Sequence, residues 1–529
     1  MTSLVGTATL LRLAWRRDRW ILVVSVALLV LTAYASMAAT LDLYPTDVQA
    51  AGAAAIMEAT PSLAAFYGPI PAPTPAGIGV LKTIMMGGVF TAILGFALVR
   101  RHTRTEEEEG RHELLAAGVI GRRAPLLAAV LLAVGAVLAT AALSAAALIG
   151  LGVSPSGSLA LGASELIAGL VMIGVTALTV QLTSTTRGAG GIDLAVLAVA
   201  FVLRAIGDTT TGWCAALSWC SFLGWAQKVA PFGANRFWLL GPALATTLVL
   251  LLAADWLLRR RDLGAGVWAP RPGPARAAAT LATPLGLAWR LHRGALLGWS
   301  IGYAVLGAVV GSMAGSVNEM MADPAIADML RTLGGGEGTL LNIFFSTEIR
   351  FMAFGTAAYA ITTMLRLHTE EAGGRAEAVL TSAVSRWRWL ASHTTIAALG
   401  SVWLSLVMGV FAGAAAGRVS RTGIADLVPA ALATLPAVAV CLALTLAIFG
   451  RAPHWSLAAW SLLIAFLVLA EFGVLLDFPP WLVGLSPFDH LGSLPGGSAR
   501  GGSLLILTLL ATLIGYAGSL AFRRRDVGT

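Results

Sequence analysis

The sequence predicts an all-α integral membrane protein of about twelve transmembrane helices, arranged as two parallel repeats of six helices. Three observations lead to this prediction. The 529 residues are 57% hydrophobic and only 12% charged, whereas a soluble domain carries about 25% charged residues. Apolar stretches of about 20 residues, the length that crosses a bilayer core, recur along the whole chain. Finally, the second half of the chain repeats motifs of the first half at a constant spacing.

Apolar runs separated by short charged or glycine-rich segments define the predicted spans. In the first half they lie near residues 20–40, 83–100, 124–150, 159–182, 189–207 and 237–258. In the second half they lie near 295–316, 350–367, 391–415, 427–449, 455–475 and 503–522. The first run resembles a cleavable signal sequence, because basic residues precede it and Ala33-Tyr-Ala35 follows. We expect an uncleaved span, because an equivalent helix recurs in mid-chain.

The net charge of +8 is explained by the positions of the basic residues. If the N-terminus is cytoplasmic, most of the 35 Lys and Arg residues fall in segments on the cytoplasmic side, as the positive-inside rule requires. We therefore expect a multi-pass protein of the bacterial plasma membrane, in contact with lipid, with both termini cytoplasmic. Nucleic acid is not an expected partner, because no basic soluble segment interleaved with aromatic residues is present.

The chain reads as a duplication. Arg259-Arg-Arg-Asp262 ends the first half, and Arg523-Arg-Arg-Asp526 recurs 264 residues later. An even number of spans in each half makes the two halves parallel, related by an axis along the membrane normal. We predict a first half at residues 1–264, a Gly/Pro-rich cytoplasmic linker at 265–283, and a second half at 284–529.

The loop after the second span of each half carries the most informative motif. Thr105 as an N-cap, with Glu108 as its capping-box partner, predicts a short acidic helix on the inner membrane surface that ends at Gly118. The same pattern follows Thr369. A solvated charged loop is the common alternative, but repetition at one spacing favours a shared docking role. The repeated residues are Glu106, Glu107, Gly110, Arg111 and Glu113 in the first loop, and Glu370, Glu371, Gly374, Arg375 and Glu377 in the second.

A second repeated feature precedes the first span of each half. Residues 7–19 and 284–293 contain Trp and Arg, and are predicted to form short amphipathic helices that lie in the membrane interface as elbows. Thr283-Pro284 is typical of an N-cap and the first helical position. A simple basic flank to a span is the alternative.

This order of features resembles the type-two family of ABC exporter permeases: an elbow, a span, an outer loop, a second span, and an inner E-E-x-x-G-R-x-E helix followed by Arg. The resemblance covers essentially the whole chain, and the fused twelve-span form is similar to actinobacterial permeases described as exporters of drugs or polyketide antibiotics. It implies six spans in each half. It also implies that the two acidic segments are coupling helices, whose repeated residues each dock one copy of a separate ABC ATPase subunit.

The two loops depart from strict symmetry. Glu108, Glu109 and His112 stand opposite Ala372, Gly373 and Ala376. Whether the two docking sites are equivalent therefore stays open.

No nucleotide-binding or catalytic motif is present. The chain lacks G-x-x-x-x-G-K-[ST], and the glycine-rich residues 334–338 contain no Lys. His112-Glu113 begins a zinc-protease pattern, but Ala116 stands where the second His is required. We expect no catalytic residue and no cofactor in this chain, with ATP and Mg²⁺ bound by the ATPase partner. Cys214 and Cys220 could in principle pair outside the cell, but Cys214, Cys220 and Cys441 are expected to be free thiols.

Charged residues inside a membrane are costly and are therefore candidates for functional sites. Asp193 and Glu471 lie deepest in predicted spans and are candidates for the transport pathway or for structural pairing. Glu165, Asp255 and Asp426 lie closer to span ends, and we expect them to be solvated boundary residues. The others are Arg204, Asp208 and Asp477.

We therefore expect the permease subunit of an ATP-driven exporter of hydrophobic or amphiphilic small molecules, working by alternating access. The alternative is a proton-coupled secondary multidrug transporter with parallel six-helix repeats. Such a transporter typically has a basic G-x-x-x-D-R-x-G-R-R loop after its second span, whereas here that loop is acidic. A membrane-embedded lipid enzyme would need a paired carboxylate, His or metal set, and none is visible. The long loops 41–82 and 317–349 are predicted to form helices on the outer face.

Overall fold

The structure, a computed structural model, describes most of the chain as helices. The described residues are 4–58, 61–111, 118, 120–262, 264–268, 273, 275–315, 339–472, 478–492, 494–497 and 501–526, and none of them lies in a strand. The chain divides into two compact units, Met1–Gly273 and Pro274–Thr529. Each unit has its own hydrophobic cores.

Ten helices in the described residues are long and apolar enough to cross a membrane, which confirms an all-helical membrane protein. They are Thr7–Leu43, Pro75–Glu108, Ala124–Gly150, Pro155–Leu182, Thr186–Thr209, Phe237–Arg260, Pro284–Ser312, Arg386–Ala416, Ile424–Arg451 and Gly501–Arg524. Each coincides with a predicted span. The two further predicted spans, 350–367 and 455–475, coincide with the helices Thr339–Ala372 and Ala458–Phe472, which are not among the ten.

The first unit is built around the helix Pro155–Leu182. Ser154 caps this helix by accepting a hydrogen bond from Gly157 N (3.3 Å), and Pro155 occupies its first turn. The helix packs most extensively against three segments: Gly88–Arg100 (within the helix Pro75–Glu108), Ala124–Gly150 and Leu240–Arg260. In its most apolar stretch 83% of the residues are buried, whereas in that of Thr7–Leu43 only 22% are buried. A helix that is apolar all round and little buried by protein presents its surface to lipid.

The second unit contains two closely packed helix pairs. Pro284–Ser312 packs along Arg386–Ala416, and Leu435–Arg451 packs along Gly501–Arg524. In the second pair a Cβ atom added at Gly450 would lie 2.3 Å from the carbonyl oxygen of Gly518. The absence of side chains at this crossing lets the two backbones touch, which is a common way to pack helices where water supplies no driving force.

The prediction that a separate elbow helix precedes the first span of each half is wrong. Residues 7–19 are the start of a continuous 37-residue helix, Thr7–Leu43, and residues 284–293 are the start of the 29-residue helix Pro284–Ser312. The predicted cap is confirmed, since Gly286 N donates to Thr283 Oγ1 (3.1 Å). The first turns of Thr7–Leu43 are held in line by a buried carboxylate, Asp18, which accepts from Arg101 Nε (2.8 Å) and lies 2.8 Å from His102 Nε2.

As predicted, the described part of residues 41–82 is mostly helical: it holds the short helices Asp47–Glu58 and Pro61–Tyr67, and Pro75–Gly79 forms the first turn of the long helix Pro75–Glu108. Most of the loop 317–349 lies outside the described residues. Cys214, Cys220 and Cys441 are free thiols.

Candidate functional site: two glutamate–arginine clusters

The acidic motif of the first unit ends a long helix instead of starting a short one. Thr105 has helical φ and ψ angles and makes no side-chain cap, so the predicted capping box with Glu108 is wrong. The helix continues through a π-turn, Arg101–Thr105, into Glu106–Glu108. It stops at Gly110, whose φ of +72° lies in the left-handed region that favours glycine.

The second unit has the same arrangement. The helix Thr339–Ala372 runs through Thr369, Glu370 and Glu371, and Gly374 follows with a φ of +69°. A new helix, Arg375–Leu380, begins directly after this glycine. In both units the paired glutamates therefore lie at a helix C-terminus, where the helix dipole is negative and a carboxylate is unfavourable. Nearby cations are needed to offset this.

In the first unit Glu107 lies between two arginines. Its carboxylate oxygens are 2.6 Å from Arg104 Nη1 and 2.6 Å from Arg261 Nη2. The Glu107 side chain is only 7% exposed. Arg261 Nε also donates to Gln181 Oε1 (2.6 Å), and Arg104 Nε donates to Val180 O (3.0 Å). We call Arg104, Glu107, Gln181 and Arg261 the first cluster.

In the second unit Glu371 forms a two-point ion pair with Arg525. Arg525 Nη1 and Nη2 each donate to one carboxylate oxygen of Glu371 at 2.8 Å. The guanidinium also lies over the rings of Phe449 and Phe522, 5.2 and 5.3 Å from their centroids, a favourable cation–π arrangement. Glu371 is 8% exposed. We call Glu371, Arg525, Phe449 and Phe522 the second cluster.

The central pairs of the two clusters correspond residue by residue. Glu107 and Arg261 are 154 residues apart, as are Glu371 and Arg525, and both pairs are related by the spacing of 264 found in the sequence. The backbone oxygen of Arg261 accepts from Arg122, and that of Arg525 accepts from Arg386 at 2.6 Å. Each terminal arginine thus binds both ends of the segment that follows the second long helix of its unit.

A second pair of contacts is also repeated, across the two glycines. Arg111 Nη1 donates to Glu106 (2.9 Å), and Arg375 Nε donates to Glu370 (2.7 Å). These arginines are much more exposed than the cluster residues, at 45% and 58%. Glu377 is exposed as well. Glu113 lies outside the described residues.

Sequence reasoning missed the arginine partners of the predicted glutamates. From the sequence, Arg261 and Arg525 are recognised only as members of the repeated Arg-Arg-Arg-Asp motif, and Arg104 only as one of the basic residues on the cytoplasmic side. The signal that could have found them was present, because the acidic motif and the terminal Arg-Arg-Arg-Asp motif recur at the same spacing.

Among the intramembrane candidates, Asp193 is buried in the first unit and accepts from Thr179 Oγ1 (2.7 Å). Glu471 lies in the helix Ala458–Phe472, and its side chain is outside the described residues. The prediction that Glu165 is a solvated boundary residue is wrong, because it is 1% exposed and accepts from Ser144 Oγ (3.2 Å). Asp426 caps the start of a helix by accepting from Gly423 N (2.9 Å). In the described part of the chain, no group of three or more His, Cys, Asp or Glu side chains could hold a metal ion.

Comparison with known proteins identifies the family. Residues 281–523 match the family model described as "Multidrug efflux system permease Rv1217c, C-terminal domain". The chain is 40% identical over 540 residues to the multidrug efflux system permease protein Rv1217c of Mycobacterium tuberculosis, an alignment that covers 99% of this chain and 96% of that protein. This chain belongs to the Rv1217c family of efflux system permeases.

The glycine that ends each long helix gives a testable prediction for this permease. Gly110→Ala is expected to lower the free energy of unfolding by about 1 kcal/mol, because a Cβ atom is unfavourable at positive φ. No atom lies within 4 Å of the added Cβ, so the backbone angle alone causes the loss. Gly110→Asn is the matched control, since Asn tolerates this region and should lose less. Thermal unfolding of the purified variants measures the difference. Equal losses for Ala and Asn would contradict a left-handed backbone conformation at Gly110.

Proposed function

We propose that this permease is the membrane subunit of an ATP-driven ABC multidrug exporter, powered by two copies of a separate ATPase. The observation that carries the proposal is its 40% identity, over nearly the whole chain, to a protein named as a multidrug efflux system permease. The lack of a P-loop supports a separate ATPase. The two lysines, Lys82 and Lys228, follow Leu and Gln, whereas a P-loop lysine follows Gly. ATP and Mg²⁺ then belong to the partner.

The ATPase docks, in this proposal, on the segments that follow Gly110 and Gly374. The helix Arg375–Leu380 exposes Arg375 and Glu377 while Ala376 is buried beneath them. The coupling-helix residues thus have two roles. Arg111, Arg375 and Glu377 are exposed and can contact a partner directly. The four glutamates of the two pairs are bound to this chain's own arginines and hold the docking segments in place; Glu113 keeps its proposed docking role.

The finer topology is also a proposal. Twelve spans result if the helices Thr339–Ala372 and Ala458–Phe472 cross the membrane with the ten described above. The contacts repeated at a spacing of 264 support two parallel six-helix repeats that arose by duplication. Positive-inside arginines support cytoplasmic termini in a bacterial plasma membrane. Alternating access would follow from movement of one repeat against the other.

The substrate class is hydrophobic or amphiphilic small molecules. The first unit contains an open groove of about 1330 Å³ between the helices Thr7–Leu43 and Ala124–Gly150. Leu22, Val26 and Leu132 are typical of its lining, which is almost entirely apolar. Such a surface accepts lipid chains or lipophilic molecules and offers few hydrogen bonds to an ion.

The test is co-purification with an ABC ATPase encoded beside this chain, followed by transport in inverted membrane vesicles. We expect the ATPase to co-elute with the tagged permease, and ATP to drive uptake of the lipophilic dye Hoechst 33342. Glu377→Arg should weaken ATPase retention about tenfold, because it places a reversed charge in the proposed interface. ATPase retained per permease is measured on gels, and dye uptake by fluorescence.

The matched control is Asp42→Arg, which also replaces an exposed acid by arginine. Asp42 lies at the C-terminal end of the helix Thr7–Leu43, away from the proposed cytoplasmic side. Asp42→Arg should leave both readouts unchanged. A permease that purifies alone, with dye transport that needs no ATP and is abolished by a proton uncoupler, would replace the exporter proposal with a proton-coupled secondary transporter.

A further inference from the structure

One arginine in each unit connects three parts of the fold. Arg261 is the first residue after the helix Phe237–Arg260, and Arg525 is the first after Gly501–Arg524. The side chain of each binds the glutamate before the docking segment, Glu107 or Glu371. The backbone oxygen of each accepts from the arginine after that segment, Arg122 or Arg386. Both ends of the docking segment are therefore attached to the end of the last helix of the unit.

An arginine at the C-terminus of the last helix could offset the negative end of that helix dipole without making any of these contacts. Arg260 and Arg524, one residue earlier, carry the same charge but are exposed. The residues that make the contacts are the ones that point inward, with Arg261 5% and Arg525 13% exposed. An ion pair in a largely water-excluded place is stiff and specific in its geometry, because breaking it leaves uncompensated charge. The same choice in both units, at equivalent positions, indicates a shared mechanical role.

We propose that Arg261 and Arg525 are positioning residues that clamp each docking segment to the last helix of its unit, so that movement of the segment by the ATPase also moves that helix. This inference rests on the proposed docking of an ATPase at these segments. The clamp carries displacement, and it takes no part in binding ATP or substrate. Glu107 and Glu371 are its counter-charges and lie beneath the docking surface.

The two clamps differ in the contacts that remain when the arginine is replaced. If Arg261 is replaced, Glu107 keeps its ion pair with Arg104 at 2.6 Å, and Arg104 itself donates to Ala265 O (3.3 Å), just beyond the end of the last helix. If Arg525 is replaced, Glu371 loses the one ion-pair partner that the described residues provide. The second clamp should therefore be the more sensitive one.

The experiment uses the complete permease–ATPase complex in proteoliposomes, with Hoechst 33342 as the transported probe. Arg525→Glu should leave the ATPase bound and hydrolysing ATP, but reduce dye transported per ATP about tenfold, a typical size for coupling between contacting charges. Arg261→Glu should reduce it less. The charge-swapped pair Glu371→Arg with Arg525→Glu should recover most of the loss, and the matched control Arg524→Glu should behave as wild type.

Each other outcome overturns a distinct idea. Folded Arg525→Glu with unchanged transport per ATP contradicts the clamp. Loss of ATPase binding in Glu371→Arg that the charge swap does not recover places Glu371 in the docking surface and also contradicts it. If Arg525→Glu does not fold, Arg525→Gln is measured instead, and normal transport per ATP again overturns the clamp. A wild-type permease that binds no ATPase is a failure of the proposed function, recognised before any variant is made.

Discussion

Asp208→Leu is expected to lower the free energy of unfolding by about 3–5 kcal/mol, because it leaves a buried arginine without its counter-charge. Arg204 is fully buried in the helix Thr186–Thr209, with Nη1 3.7 Å from Asp208 Oδ2. Its Nη2 donates to the carbonyl oxygens of Ala65 (2.8 Å) and Phe66 (3.0 Å), which fixes the short helix Pro61–Tyr67 against this span. The loss is measured as the change in thermal unfolding in detergent.

Removing both charges should restore most of that stability. In the double variant Asp208→Leu with Arg204→Met the unpaired buried charge of Arg204 is gone, and exchange of a buried ion pair for apolar side chains is often close to neutral. Lys228 also lies 3.7 Å from Asp208, but its side chain is partly exposed and can reach solvent. Asp42→Leu, an exposed acid, is the control and should cost little. A double variant less stable than Asp208→Leu alone would show that Arg204 does not depend on Asp208.

Gly311→Val is expected to prevent close packing of the helices Pro284–Ser312 and Arg386–Ala416. A Cβ atom at Gly311 would lie 2.1 Å from Ala412 O and 2.9 Å from Ala412 C. Both are backbone atoms of a membrane helix, so they cannot rotate away as a side chain could. Overpacking in a core typically costs about 1–3 kcal/mol, and we expect the upper end of that range or more.

The same helix supplies the matched control for this prediction. Gly302→Val introduces the same side chain about two and a half helix turns away, where no atom lies within 4 Å of the added Cβ. The yield of monodisperse protein and its thermal unfolding should fall for Gly311→Val and change little for Gly302→Val. Equal behaviour of the two variants would mean that the helices do not cross at Gly311.

The positions of the spans were predictable because hydrophobic length is a local property. All ten membrane-length helices coincide with predicted spans, and the cap at Thr283 was also recognised from its neighbours. The predicted elbows were wrong for a reason that is not local. Residues 7–19 have the composition of an interfacial helix, but buried contacts of Asp18 with Arg101 and His102 hold them in line with the span.

The candidate site was predicted in part. The sequence identifies the repeated glutamates, but it predicts them at the start of a helix, whereas they lie at the end of one. Threonine before glutamates is typical of a helix start, yet here the preceding span continues without a break, and the glycine is what ends it. Capping signals are short, so a long helix stabilised by packing in the membrane overrides them.

The sequence by itself determined that this is a helical membrane protein, where most of its spans lie, and which motifs its halves share. These follow from composition, hydrophobic length and spacing, all of which are properties of neighbouring residues or of simple repetition. The tertiary structure alone decided which charges meet. Glu107 and Glu371 find arginines 154 residues away, because helix packing brings the end of the last helix of each unit beside the end of the second. Asp193 and Glu165 are buried for the same reason, since only packing decides which face of a uniformly apolar helix is covered.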